Sequence, residues 1–437
     1  MKKILFLITL CFILSVIGCS STIDISDSQY KYRQGNYSGA YESLLNKKDA
    51  IIKKQGPIIM NLDAGLLLHH DGEYSLSNSL LSHSEREIQE AYTTSISANI
   101  ASYIVNDNTK EYSGEAYEDI YINIFKALNY LHLGEQESAL VELNRSIEKQ
   151  SLLKQRFEEQ IKKIEKGAAS KGVESFTTET YSSSFSSSAL ASYLSMIVAA
   201  SMGEENTFIY SLGQITRAFT TQPHLYPFAP PSSLQEEAKD IPEGKARLHI
   251  VAFSGVAPQK REQTETAYIS DGNYLKIAYP VLVETPSLVN SVVFSIDKGK
   301  PIPLEKIESM SSIAIETFKT TSSLAKLKSI LRATAKAIGV AAYDVAINNN
   351  ESEPSMIELL LSSIFKIASY ASEQADVRSS HFLPSTAWVN GITLATGEYN
   401  VTIDFLDTRG KNLFRQTINN VKVKERTTNI IEGNAPF

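Results

Sequence analysis

Apolar residues recur at helical spacing through the first half of the chain and at every second position through much of the second half, so the sequence divides into a helical part and a β-rich part. The clearest helical stretch runs from Glu115 to Lys149. Ile120, Ile124, Ala127, Leu128 and Leu131 line one face of a first helix, Gly134 ends it, and Ala139, Leu140, Leu143 and Ile147 mark the buried face of a second. One helical hairpin cannot cover both of its faces, so copies are expected. A glycine, a helix-facing residue five positions on and a leucine four further recur as Gly35/Ala40/Leu44, Gly72/Ser77/Leu81, Gly134/Ala139/Leu143 and Gly203/Phe208/Leu212. The glycines stand 37, 62 and 69 residues apart, and the two longer intervals leave room for an extra helix each. The Ser/Thr-rich run from Gly167 to Ser188 predicts a loop. Pro223, Pro227, Pro230, Pro231 and Pro242 then predict a joint over 223–244, with a short helix around Leu234–Lys239.

Beyond Gly244 the period is two. Leu248, Ile250 and Ala252 alternate with Arg247, His249 and Val251, and strands are expected around Tyr274–Ala278, Val281–Glu284 and Val289–Ile296. Asp271-Gly272 and Lys298-Gly299 supply turns. Tyr399, Val401, Ile403 and Phe405 face one way, and Leu413–Val423 and Thr427–Ile431 offer the last strands. Between the two sets, residues 305–374 read as a helical hairpin insert, with Leu324, Leu331, Ile338 and Val345 seven apart and a second helix over Met356–Ala371. The expected fold class is α+β and multidomain: a helical-repeat domain over 28–222, the joint, and an antiparallel β-sheet or sandwich over 245–437 that carries the insert.

The N-terminus changes the picture. Lys2 and Lys3 precede an apolar run, Ile4 to Val16, that is too short for an ordinary membrane span. It ends Val16-Ile17-Gly18-Cys19, which resembles a bacterial lipobox. That resemblance implies a signal peptide over 1–18, cleavage between Gly18 and Cys19, and lipid (a diacylglyceryl thioether and acyl chains such as palmitate) on Cys19, followed by a short tether over 19–27. An ordinary secretory signal is the alternative. Ser20 after the cysteine implies, by the enterobacterial sorting rule, the outer membrane facing the periplasm. The only other cysteine, Cys11, would be removed, which leaves no disulfide framework, zinc cluster or thiol nucleophile. Loss of Lys2 and Lys3 would leave 40 basic against 49 acidic residues, which argues against nucleic acid as partner.

Two further resemblances rest on quoted residues. Ala127-x2-Tyr130 with Ala139-x3-Leu143 resembles the tetratricopeptide pattern G-x2-Y … A-x3-F, with Ala for Gly and Leu for Phe. The run Glu373-Gln374-Ala375-Asp376-Val377-Arg378-Ser379, then Leu383-Pro384 and Gly397-Glu398-Tyr399, resembles a family of uncharacterised bacterial envelope lipoproteins. In that family the run reads roughly E-Q-A-D-T-R-S-W, L-P, P-G-E-Y; here Val377, Ser380 and Thr396 depart from it. Phe253 to Pro258 is similar to the family's strand and turn. The resemblance implies a helical half, a β-rich half and an envelope lipoprotein, with no established activity.

Chemistry-bearing candidates are few. Asp376 and Arg378 form either a contact for a ligand or partner or an ion pair that fixes the return of the insert to the sheet. Asn123, Lys126 and Asn129 lie opposite the apolar stripe of their helix and are expected on a partner-binding surface. His69, His70, Asp71 and His83 read as a solvated turn before Gly72 rather than a metal site. Trp388 reads as β core. No phosphate-binding glycine loop, nucleophile elbow or glycosidase carboxylate pair is present, and no cofactor or metal is expected. The expected function is non-enzymatic: a membrane-anchored envelope adaptor that binds another envelope protein through its helical repeats. The alternative is an envelope enzyme or solute-binding protein with its site between the halves.

Overall fold

The computed structural model of the chain describes residues 23–97, 111–169, 183–270, 273–348 and 374–437. The signal-peptide and lipidation positions, Gly18 and Cys19 among them, and the expected helix over Met356–Ala371 lie outside these residues. Ten helices precede the first strand among the described residues: α1 Ser26–Arg33, α2 Tyr37–Leu45, α3 Lys48–Gln55, α4 Pro57–Asp71, α5 Tyr74–Ser97, α6 Ala116–His132, α7 Gln136–Ala169, α8 Ala189–Met202, α9 Glu205–Thr221 and α10 Leu234–Glu237.

The four recurrent glycines close four helix pairs. Gly35, Gly72, Gly134 and Gly203 have φ of +73°, +85°, +79° and +74°. A left-handed residue there lets the following N–H return to the ending helix, five residues back. Asn36 bonds the Lys31 carbonyl at 3.0 Å, Glu73 bonds Leu68 at 2.9 Å, Glu135 bonds Tyr130 at 2.8 Å, and Glu204 bonds Ala199 at 2.9 Å. Among the described residues the longer intervals hold the long α5 (24 residues) and α7 (34 residues) in place of extra helices, with 98–110 and 170–182 outside the description, and an additional short helix, α3, falls in the first interval.

The β part is not an antiparallel sandwich. Strands β1 Lys245–Ser254, β4 Ser291–Ile296, β5 Ile302–Ser309, β6 Thr386–Ala395, β7 Gly397–Leu406, β8 Asn412–Val423 and β9 Asn429–Ala435 form one mixed sheet, ordered β8-β7-β4-β5-β6-β1-β9. All neighbours are antiparallel except β1 and β9. The sheet curls until its edges nearly meet. Gln416 of β8 donates to the Glu432 carbonyl of β9 at 3.4 Å and accepts from the Asn434 N–H at 3.2 Å. A barrel-like interior results, filled by Leu248, Ile250, Ala252, Phe294, Val401, Ile403, Phe405 and Trp388. Gly433 allows this closure, because a Cβ there would stand 3.0 Å from Ile403.

Curling gives β1 and its neighbours a second buried face, turned to the helices. Val251, Phe253, Ile307, Ala387, Val389 and Ile430 share one core with Leu67, Phe125 and Leu128 of α4 and α6, and with Leu225 and Tyr226 of the joint. The polar run Gln259–Ser270, unread as a strand, forms β2 and pairs with β3, Asn273–Val283, as a separate two-stranded sheet. The expected helical insert starts later than 305, because Glu305 to Ser309 belong to β5; one helix, α11, then runs from Met310 to Asn348. Leu324 and Leu327 of its stripe pack on Phe157 and Ile161 of α7.

One carboxylate ties these parts together. Glu308 on β5 is fully buried and accepts from Tyr121 Oη (2.7 Å), Ser188 Oγ (2.7 Å), Leu190 N–H (3.1 Å) and Tyr226 Oη (3.0 Å). Burial raises its carboxyl above the ordinary value, and the hydroxyl and backbone donors pull the other way. Glu308→Ala would orphan the Tyr121 hydroxyl of α6 and the Ser188 and Leu190 donors at the start of α8, and leave Tyr226 of the joint only the Ser187 carbonyl at 3.0 Å. We expect a loss of about 3–5 kcal/mol in a denaturation experiment, well above the effect of a typical surface substitution.

Candidate functional site

The N-terminus of α6 gathers three carboxylates, because Glu115 is its N-cap and Glu118 and Asp119 fill its first turn, where the helix dipole favours negative charge. Glu118 Oε2 accepts from the Glu115 N–H at 2.9 Å and from Tyr112 Oη at 2.6 Å, and its Oε1 accepts from the Ser380 N–H at 2.7 Å. Glu115 pairs with Lys260 of β2, whose ammonium also lies 5.0 Å from the Tyr112 ring centre and 5.2 Å from that of Phe318. Asp119 receives Lys149 of α7 at 2.5 Å.

The segment that follows the insert crosses this helix end. Arg378 and Asp376 form a two-pronged ion pair, with Nε to Oδ1 and Nη2 to Oδ2 both at 2.8 Å. Ser380 Oγ and the His381 N–H reach Asp63 of α4 at 2.7 and 2.9 Å. Sequence spacing places Asp376 and Arg378 together; it does not reveal that Lys260, Glu115 and Glu118 join them. The Glu115-x2-Glu118 spacing at a helix start is the one signal available, as a capping pair.

Three carboxyl groups, the buried Glu115 and Glu118 and the half-buried Asp376, thus face two permanent cations, Lys260 and Arg378, while Asp63 pairs with His381 at 2.9 Å. The surplus falls on Glu118, which burial and the neighbouring Glu115 push up to about 7. Burial likewise outweighs Lys260 at Glu115 and raises it. Burial opposes the charge of Lys260, yet three surrounding carboxyl groups hold it above the ordinary value. Burial also opposes ionisation of Asp376, and the bonds from Arg378 with the charge of Lys260 bring it below the usual range.

Glu115, Lys260 and Asp376 of this cluster line a cavity of about 710 Å³. Its walls come from α5, α7, α11 and β3, including Ala91, Arg156, Phe157, Thr321, Leu324 and Pro280. Lys260 is held as a cation, so it is no amine nucleophile. Ser184 lies near this region with Oγ 2.8 Å from His224 Nε2, but its hydroxyl and its N–H both donate to Glu316, so no proton is aligned towards the imidazole.

Asn123, Lys126 and Asn129 are not on an exposed groove. All three are buried, because α5 and α7 flank α6 on one side and the sheet covers the other. Asn123 Nδ2 donates to Glu85 at 2.8 Å and Glu142 at 2.6 Å, and Lys126 pairs with the same two carboxylates at 2.7 and 3.0 Å. Nor is His69 in a solvated turn. It is buried in the last turn of α4, while His83 is exposed beside Arg86. Among the described residues no group of three or more His, Cys, Asp or Glu could hold a metal ion. Trp388 packs inside the barrel and donates to Ser254 Oγ at 2.9 Å.

Asn129 fixes the charge state of His69. The single hydroxyl hydrogen of Ser77 goes to the Gly65 carbonyl at 2.7 Å, so Ser77 Oγ must accept from Asn129 Nδ2 at 2.9 Å. Asn129 Oδ1 therefore faces His69 Nδ1 at 2.7 Å, and His69 Nε2 faces the carboxylate of Glu432 on β9 at 3.1 Å. Both ring nitrogens meet acceptors, so His69 is an imidazolium. Burial works against that charge, and Glu432 with the Asn129 bond outweighs it, raising the His69 value. His132 Nε2 meets the other Glu432 oxygen at 2.6 Å.

No protein-family model, curated protein or solved structure matches this chain. No helix among the described residues is long and apolar enough to cross a membrane.

Two titrations check these assignments. Glu118 has a folded value of about 7 against 4.5 for the free group, so folding binds a proton. Its stabilising share is complete below about pH 4.5 and is lost as pH rises through about 7, a span worth roughly 3 kcal/mol. Melting temperature should fall as pH rises from about 4.5 to about 7 and level off above that, and Glu118→Gln should flatten the decline; an unchanged slope counts against the assignment. For His69, nitrogen-15 NMR should show the ring keeping its second proton to higher pH than a free imidazole, and Glu432→Gln should lower that midpoint. The His69–Glu432 pair stabilises above the range where Glu432, held low by His69 and His132 despite burial, takes up a proton, and up to the raised His69 value.

Proposed function

We propose that this chain is a lipid-anchored protein of a bacterial envelope that holds a small polar ligand between its helical half and the β2–β3 hairpin. The observation that carries this reading is the cavity of about 710 Å³ with the buried Lys260–Glu115 pair and Asp376 in its lining. Its size falls within the range of small-molecule sites, and a few charged groups converging in a half-apolar chamber are how such sites orient a ligand. The lipobox-like Val16 to Cys19 supports the anchor, and Ser20 supports the outer membrane facing the periplasm. The glycine-closed helix pairs support a divergent tetratricopeptide-like array, and the junction built by Asp376 to Ser380 supports the likeness to the envelope lipoprotein family.

The adaptor reading keeps one specific support. Ile209 and Tyr210 on α9 are 59% and 56% exposed, an adjacent apolar pair of the kind found at protein contacts. It no longer draws on Asn123, Lys126 or Asn129.

Native mass spectrometry of the protein purified from its own envelopes separates the two. Ala91 lines the cavity and is half-buried, so Ala91→Trp should occlude it. The wild type should carry a small-molecule mass that Ala91→Trp lacks, with melting temperatures within a few degrees. A wild type that carries none, together with a protein partner lost on Ile209→Ser/Tyr210→Ser, would transfer the function to α9.

A further inference from the structure

The chain carries 49 acidic against 42 basic residues, yet its first described helices reverse the balance. From Ile23 to Gly56 the acids are Asp24, Asp27, Glu42 and Asp49, and the bases are Lys31, Arg33, Lys47, Lys48, Lys53 and Lys54. Two of the acids are engaged within the fold. Asp27 pairs with Lys31 at 3.0 Å, and Asp24 accepts from the Ser26 N–H at 3.0 Å. Lys48, Lys53 and Lys54 of α3 are exposed and form no ion pair among the described residues. On the inner side of the same helix Ile51 and Gln55 are buried. Leu45, at the turn into α3, is 43% exposed, and Tyr30 on α1 is 64% exposed.

Chain connectivity places this surface beside the anchor. Cys19 stands four residues before Ile23, a distance that spans at most roughly 14 Å when fully extended. Lys47, the N-cap of α3, donates from its ammonium to the carbonyl of Asp24, one residue beyond Ile23. The start of α3 therefore touches the end of the tether. Resting on the reading that Cys19 carries lipid, we propose that α3 and the α2–α3 turn lie against an anionic phospholipid surface. Lys48, Lys53 and Lys54 meet the headgroups and Leu45 enters the interfacial layer. Lysines with an exposed aliphatic neighbour suit that boundary, where the stems pack on apolar matter and the ammonium groups stay in the polar layer. Each basic group near an anionic surface strengthens attachment about fivefold, and the attraction fades beyond roughly 8 Å at physiological salt. The acidic remainder of the molecule is repelled by the same surface, so the contact sets an orientation as well as a distance.

The test uses the full lipidated protein, reconstituted into nanodiscs of phosphatidylcholine alone or with phosphatidylglycerol. Lysines are labelled with an amine-reactive reagent and read by mass spectrometry. Labelling of Lys48, Lys53 and Lys54 should slow at least fivefold in the anionic discs and recover at high salt. Exposed Lys245, Lys298 and Lys300, in the β part, should label equally in both. Equal labelling of the α3 lysines in the two discs, or protection of the β-part lysines instead, overturns the docking face and leaves the anchor standing. A purified protein with no lipid mass on Cys19 overturns the anchor, and the proposal with it.

Discussion

Burial of the Glu308 carboxylate is the constraint on which the joining of helices to sheet depends. A charge withdrawn from water costs several kcal/mol unless donors surround it, so each group that reaches Glu308 is held where it is. A bulge in β5 aims it. Strict alternation from Leu304, inside the barrel, would send residue 308 inside as well; the register shift between Lys306 and Glu308 leaves Ile307 and Glu308 both on the helical side. Ser188 then serves twice, capping α8 through the Ala191 N–H at 3.1 Å and donating to Glu308. Tyr226 anchors the proline-rich joint to the same oxygen, and Gln222 fastens its start to the Ser186 N–H at 2.7 Å and the Ser187 carbonyl at 3.0 Å. The prolines end helices, but the chain between them is bound down.

The other polar contacts between helices and sheet follow the same rule. Glu432 brings β9 to α4 and α6 through two imidazoles, and Lys260 brings β2 to the start of α6. Arg247 on the outer side of β1 meets Glu237 of α10 at 2.9 Å over Gly391, where any Cβ would stand 2.8 Å from the guanidinium. Against an apolar replacement such pairs add little stability. What they add is a single alignment of two surfaces that an apolar core alone would let slide.

This explains which parts were legible in the sequence. Helix pairs were, because a glycine with positive φ and a buried leucine nine residues on leave a repeated mark: Gly35 with Leu44, Gly72 with Leu81, Gly134 with Leu143. The barrel-lining alternation of Val401, Ile403 and Phe405 was equally plain. Asn123, Lys126 and Asn129 were misleading, since a polar residue paired in the interior has the same letter as one in water. The signal that distinguishes them lies elsewhere in the chain, at Glu85, Glu142 and Ser77, whose proximity no local spacing encodes. Likewise β2 went unread because Arg261 to Thr264 are all exposed, so no apolar alternation marks the strand that carries the buried Lys260. The parallel pairing of β9 with β1 depends on closure of the sheet, a global property.

The cavity sits beside an element that stands outside the barrel. The β2–β3 hairpin belongs to no strand of the barrel. It rests on α11, with the Ala278 N–H on Ser329 Oγ at 3.0 Å and Ser322 Oγ on the Pro280 carbonyl at 2.7 Å, and is tied to α6 through Lys260. Helices α5, α7 and α11 border the space beside it, and they bring Glu87, Glu90, Arg156, Glu159 and Thr321 to a wall that also holds Ile88, Leu153, Phe157 and Leu324, so full collapse would desolvate charged groups. The wholly apolar interface of Phe125 with Phe253 carries no such cost and closes. Lys260 belongs to the hairpin and to the cavity lining at once, so its pair with Glu115 is both part of the wall of that space and the tie that fastens the hairpin to α6.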